Sequence, residues 1–285
     1  MRYRLQIVIF TGVALAVAAC SMLPICNGSG VRFRAATYNV HFFQRGWSAT
    51  QHTLKSLDAD VIALQEVLVS GGSPLHSIAR NMGYRYVVSQ PYVRYGNSYW
   101  VLAFLSRYPL LSQSEVRLGQ SRRALRVILD VQGQPVEFIT MHLTPLAGNS
   151  SGRDDVIRRS ESRKRELSDL FAWLGPPAGP RILLGDFNFL RGPVGFWMDE
   201  YEMLDDAGYE DADGGLFPDN EDTFPIPGET RTALESTIPG WLIPHAITLD
   251  YMFVTAVDVE SVQVREADGS DHWPLVGDFR IEGSQ

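Results

Sequence analysis

Apolar and polar positions along the chain fall into short runs, either alternating or unbroken, separated by Gly, Pro, Asn and Asp. This is the pattern of many strands with a few helices between them. The spacing predicts strands over Val31–Val40, Asp60–Val67, Tyr84–Gln90, Tyr99–Ser106 and Leu110–Leu118. A hairpin follows, Ala124–Val131 with Pro135–His142 about Gln132-Gly133-Gln134. Further strands fall in the run that starts at Arg181, over Ile247–Val254 and Val257–Arg265, and after Pro274. Helical spacing covers Ala49–Asp58, Pro74–Met82, Val156–Leu174 and part of Val194–Tyr209.

The stretch Arg181-Ile-Leu-Leu-Gly-Asp-Phe-Asn-Phe189 has the sharpest chemistry. Apolar residues suited to a buried strand run into Gly185, after which Asp186 and Asn188, two apart, face the same way off an extended backbone. The same spacing also fits a turn in which both bond their own backbone. Polar groups recur at other predicted strands. Asn39 closes the first, Gln65-Glu66 the second and His142 the hairpin; Asp250 sits in the middle of Ile247–Val254, and Asp271-His272 lie in the turn before the last strand. An ionisable group among apolar neighbours needs a partner, and for Asp250 a histidine is a natural one.

Composition narrows the chemistry. A chain of 285 residues with 45% hydrophobic content can bury a large core, and its net charge of −8 argues against general nucleic-acid binding by charge alone. Two cysteines exclude a disulfide framework or a cysteine-based metal site. Carboxylates, amides and histidines without cysteine suit a hard divalent ion. The basic helix carries Arg158, Arg159, Arg163, Lys164 and Arg165, which read as a solvated face, though some could border a phosphate site. The acidic run from Glu210 to Asp222 lies in a Gly/Pro-rich segment and reads as a solvated loop.

The start of the chain differs from the rest. Arg2 and Arg4 precede an uncharged run, Leu5–Ala19, right for a secretory signal and too short for a confident span. It ends Val17-Ala18-Ala19-Cys20, which resembles the bacterial lipoprotein signal. The expectation is a leader over residues 1–20, lipidation at Cys20 and a tether over 21–30. The protein would then be held at the cell envelope on the extracytoplasmic or periplasmic face.

Taken in order, Thr-Tyr-Asn39-Val-His, Ile-Ala-Leu-Gln-Glu66-Val, Ala-Phe-Leu-Ser-Arg-Tyr-Pro, Thr-Met-His142-Leu, Gly-Asp186-Phe-Asn188, Leu-Asp250-Tyr and Ser-Asp271-His272-Trp-Pro resemble the endonuclease/exonuclease/phosphatase superfamily of DNase I-like and exonuclease III-like phosphoesterases. The resemblance spans about Val31 to Ile281 and places the domain over 31–285. It implies an α/β fold, a four-layered sandwich of two mixed sheets packed face to face with helices outside. It also implies hydrolysis of a phosphodiester, of nucleic acid or a phospholipid head group, with Mg²⁺ or Mn²⁺ and no obligate protein partner. Carried over residue by residue, Glu66 is the principal metal ligand, with Asn39 and Asp271 beside it. His272 is the base, Asp250 fixes its tautomer, Asp186 orients the nucleophile, and Asn188 and His142 hold the phosphoryl oxygens. Two departures stand out: position 41 is His where some nuclease branches carry an acid, and no acidic partner for His142 is evident near Asn97.

Overall fold

The computed structural model describes residues 30–69, 74–146, 153–191, 199–214, 222–228, 231, 240–242 and 244–282. The leader, Cys20 and nearly all of the tether lie outside them. In chain order the first half holds β1 (Val31–Asn39), α1 (Trp47–Ser56), β2 (Val61–Val69), α2 (Pro74–Met82), β3 (Arg85–Val88), β4 (Val93–Tyr95), β5 (Ser98–Ser106), β6 (Leu110–Leu118), β7 (Arg122–Val131) and β8 (Gln134–His142). The second half holds α3 (Arg153–Leu174), β9 (Arg181–Asp186), α4 (Glu200–Asp206), β10 (Glu210–Asp211), β11 (Phe224–Pro225), β12 (Ala246–Ile247), β13 (Asp250–Thr255), β14 (Asp258–Val264) and β15 (Leu275–Ile281).

Two mixed sheets face one another. One runs β14-β15-β1-β2-β5-β3, with β4 also on β5, and the other runs β10-β13-β9-β8-β7-β6. Each contains one parallel pair at its centre, β1 with β2 and β8 with β9. The central strands read as unbroken apolar runs because both of their faces are covered. Ala35, Val61, Phe138 and Ile182 enter the core between the sheets. Their neighbours Ala36 and Ile62 pack outward with Leu54 of α1 and Leu75 and Ile78 of α2. On the other side, Ile139 and Leu183 pack with Leu167 and Leu170 of α3 and Leu204 of α4. The result is the expected helix, sheet, sheet, helix sandwich.

Three local readings are corrected by the structure. The segment Ile247–Val254 is not one strand: Ala246–Ile247 pairs with Phe224–Pro225, and β13 begins at Asp250, so Asp250 opens a strand rather than sitting in its middle. The chain leaves β9 at Asp186, and Asn188 adopts a left-handed backbone with φ 55°, so the two do not share an extended face. The basic helix is not uniformly solvated. Arg163 is fully buried, its Nη2 lies 2.7 Å from Oε1 of Glu200 on α4, and its Nη1 donates to the carbonyls of Thr144 and Pro145. Glu166 accepts from the Thr144 amide and hydroxyl at 2.9 and 2.6 Å. Together they pin the segment that follows His142.

Gly185 has a steric role. A Cβ there would meet the Met141 carbonyl oxygen at 2.3 Å, because β8 and β9 run side by side with Met141 opposite Gly185 and His142 opposite Asp186. Gly185→Ala is therefore expected to destabilise by about 1–3 kcal/mol, the usual cost of overpacking a core. It should also lower activity, since the strands it forces apart carry His142 and Asp186. Urea unfolding of the variant checks the first effect; an unchanged midpoint would contradict the close approach.

Candidate active site

The polar residues nominated from separate strands meet at one end of the sandwich. Asn39 ends β1, and its Nδ2 donates to Asp186 Oδ2 at 3.0 Å across the gap between the sheets. Asn39 Oδ1 in turn accepts from the His41 amide at 3.0 Å. On β2 the pairing with β5 shifts between Leu64 and Val67, and Glu66 takes a left-handed φ of 54°. A bulge of this kind re-aims a side chain. Here it brings Glu66 Oε1 to 3.8 Å from His142 Nε2, a residue of the opposite sheet. The neighbouring Gln65 ties the sheets together, its Nε2 donating to Thr37 Oγ1 at 3.0 Å and to Thr140 Oγ1 at 2.9 Å.

Asp186 is the hub. Besides Asn39, it accepts the Asn188 amide on Oδ1 at 3.1 Å, an Asx turn that sets the chain's exit from β9. Its Oδ2 lies 3.5 Å from His142 Nε2 and 3.8 Å from His272 Nε2. Of the two readings the turn is the one that holds, for Asp186, and it is this turn that delivers the carboxylate to the site. Asn188 itself donates to the Leu143 carbonyl at 3.4 Å and accepts from the Leu146 amide at 3.3 Å, so it braces the segment after His142.

His272 Nδ1 lies 2.8 Å from Asp250 Oδ2, and both are buried. Thr223 completes this pair. Its hydroxyl donates to Asp250 Oδ2 at 2.7 Å and accepts the amides of Leu249 and Asp250. Asp271 faces a different partner, with Oδ1 3.0 Å from His41 Nδ1. The histidine at position 41, where the resemblance leads one to look for an acid, thus recruits a neighbouring acid in a second His–Asp pair.

The electrostatics follow from burial and crowding. Burial raises Asp186, and the charges of Asp250 and Glu66 add to that against the opposing pull of His272 and Asn39, leaving it at about 7. Burial also raises Glu66, against the charges of His272 and His41. Burial lowers His272, but the charge and hydrogen bond of Asp250, with Asp186 and Asp271 behind them, outweigh it and push it up to about 10. His142 goes the other way: burial first, then the positive charges of Arg122 and His272, hold it well below its ordinary value. One histidine is thus kept neutral and able to donate a hydrogen bond, while the other carries a strong proton affinity set by its carboxylate.

Several contributors carry no pattern in the sequence. Near Asn97, where the resemblance leads one to look for an acidic partner of His142, the structure places Trp100, stacked on the imidazole at 6.0 Å and 18°, while the Tyr92 hydroxyl lies 3.5 Å from His142 Nδ1. Arg122, at the start of β7, is only 8% exposed, and its Nε and Nη1 meet no acceptor among the described residues. Buried guanidinium N–H groups without an acceptor are costly unless a further oxygen completes them. Thr223 lies in the acidic loop, where only the fold could have singled it out.

The donor set fits a hard divalent ion. Glu66 Oε2 and Asp250 Oδ1 are buried without a hydrogen-bond partner among the described residues, and the site is rich in oxygen with no sulfur. Asp186, Asp250 and His272 offer ligand atoms within 4.8 Å of one another. His272 and one oxygen of Asp250 are already bonded to each other, so the orphaned oxygen of Glu66 is the better anchor for a cation.

The profile of the Endonuclease/Exonuclease/phosphatase family matches residues 36–272 of this chain. The chain belongs to that family. Its membership makes this protein a phosphoester hydrolase, in a family that generally depends on divalent metals. Among curated proteins no sequence matches it. Solved structures share the fold of the family domain. An endonuclease/exonuclease/phosphatase from Beutenbergia cavernae DSM 12333 is 20% identical, covers 89% of this chain and 72% of its own, and has a TM-score of 0.65. ANGEL2, a 2',3'-cyclic phosphatase in complex with adenosine-2',3'-vanadate, is 16% identical over 89% of this chain and 97% of its own, with a TM-score of 0.63. A humanised D. rerio TDP2 is 17% identical over 87% and 98%, with a TM-score of 0.61.

Proposed function

We propose that this protein is a divalent-metal-dependent phosphodiesterase, held by a lipid at Cys20 on the outer side of a bacterial membrane. The reading is supported chiefly by the chain of short contacts from Glu66 through His142 and Asp186 to the His272–Asp250 pair, 3.8, 3.5, 3.8 and 2.8 Å in turn. His272 takes the proton of the attacking water on Nε2, with Asp250 on Nδ1 holding the ring's orientation. Asp186 orients that water, and neutral His142 and Asn188, with Arg122 beyond them, hold the phosphoryl oxygens as their charge grows. Glu66, with Asn39 and Asp271, would hold Mg²⁺ or Mn²⁺, which would neutralise carboxylates that raise His272 and stabilise charge on the phosphate.

The anchoring is supported by the sequence ending in Cys20 alone, since no described helix is long and apolar enough to cross a membrane. The experiment is hydrolysis of a panel of nucleic acid, lipid and sugar phosphodiesters by the purified protein with Mg²⁺. Activity on at least one, lost on chelation, is expected. Inactivity across the panel would sink the proposal. Salt separates the substrates: cleavage of duplex DNA should weaken steeply as salt rises, whereas a head group should not show that slope.

A further inference from the structure

From the site toward solvent runs a set of aromatic rings that hydrolysis itself does not use. Trp100 stacks on His142 at 6.0 Å. Phe42 stacks on Trp100 at 5.2 Å and on Tyr95 at 5.1 Å, each with an interplanar angle of 17°. Tyr95 and Trp100 lie on one face of the β4–β5 hairpin, 6.3 Å apart and tilted by 26°. Tyr95, at the outer end, is 52% exposed, and Phe42 and Trp100 are half-buried.

The backbone is strained to achieve this. His41, Phe42 and Phe43 all have positive φ, at 41°, 45° and 62°, which side-chain-bearing residues rarely adopt. Phe43 turns inward onto Trp47 at 3.9 Å, and Phe42 is left over the hairpin rather than in the core. Strain of this sort persists where the surroundings over-determine it, and it clusters at ligand-binding segments.

We propose that Tyr95, Phe42 and Trp100 form a stacking subsite for a planar aromatic ring carried on one of the alcohols of the phosphoester. The inference rests on the phosphodiesterase reading and names its substrate class. The rings are nearly parallel, an arrangement that another flat ring extends by offset stacking, whereas an ammonium group is best held by faces that converge on it. The wall begins at the histidine assigned to the phosphate, so a ring one or two bonds removed from that phosphate reaches it. With a net charge of −8, the protein suits a single ring with a single phosphate better than a long duplex.

The test compares two ligands with the same phosphate, adenosine 5'-monophosphate and ribose 5-phosphate, titrated into the full-length protein by calorimetry. The nucleotide is expected to bind about fivefold or more tightly, the low end of what one stacked base contributes. Tyr95→Ala should abolish that preference without changing ribose 5-phosphate affinity, and Tyr95→Phe should restore it. Equal affinities in the wild type, or a Tyr95→Ala variant that keeps the preference, overturn the subsite and leave the phosphoester reading standing. A variant that keeps the preference but loses binding to phosphatidylcholine vesicles would overturn it in favour of a membrane contact. No binding of either compound with Mg²⁺ present overturns the subsite, while the phosphodiesterase reading stands or falls on the hydrolysis panel.

Discussion

Asp250→Asn is expected to lower kcat/KM toward a phosphodiester by about 10²–10⁴-fold, the range that a positioned acid–base group contributes. The substitution keeps the side chain's shape and an oxygen for the Thr223 hydroxyl, which now donates to Asp250 Oδ2 at 2.7 Å, so the fold should survive. What it removes is the charge 2.8 Å from His272 Nδ1. That charge is the chief reason His272 stands at about 10 despite its burial, so in the variant the imidazole should titrate far lower, and NMR of the metal-free protein reads this directly. Stability carries the same signature. A histidine raised in the folded state stabilises fully below its unfolded value near 6.5 and loses that contribution as pH climbs toward about 10. Between those limits the metal-free wild type should lose stability relative to Asp250→Asn. An unchanged rate together with an unchanged His272 titration would remove the pair from the mechanism.

Glu66→Gln is expected to abolish measurable metal-dependent turnover while leaving the metal-free protein as stable as the wild type or more so. Burial raises Glu66, which means that the folded state binds its proton more tightly than the unfolded chain does. Such a group costs stability once pH exceeds the ordinary carboxylate range, and at neutral pH glutamine removes that cost. The left-handed backbone at Glu66 adds strain, typically about 1–2 kcal/mol for a residue with a side chain. A position that pays twice for holding a carboxylate with an orphaned oxygen is explained if a cation satisfies it. Melting curves with and without Mg²⁺ decide the matter: the wild type should gain stability with the ion and the variant should not. Equal gains would place the metal elsewhere, with the Asp186, Asp250 and His272 cluster the first alternative.

Much of this was legible in the chain. Unbroken apolar runs such as Ile62-Ala63-Leu64 and Ile182-Leu183-Leu184 announce strands covered on both faces, and their polar ends mark where a site gathers. Seven short motifs in order identified the family without geometry. Arg163, by contrast, read as one charge on a polar helix, since helical periodicity does not reveal that Glu200 of another helix waits beside it. Asp250 read as mid-strand because Ile247 to Val254 is uniformly strand-like. The break comes from pairing with Phe224–Pro225, which no local rule anticipates.

The sequence by itself determined where the central apolar strands run, that polar groups gather at strand ends and what family that chemistry belongs to, because apolar runs and strand propensity are properties of neighbouring residues. Only the tertiary structure decided how the other side chains are shared out: Asp271 with His41, Trp100 against His142, Arg163 with Glu200, and Arg122 with no acceptor for Nε and Nη1 among the described residues. Those partnerships join residues far apart in the chain, and distance across a closed sandwich is set by the packing of two sheets rather than by spacing along one strand.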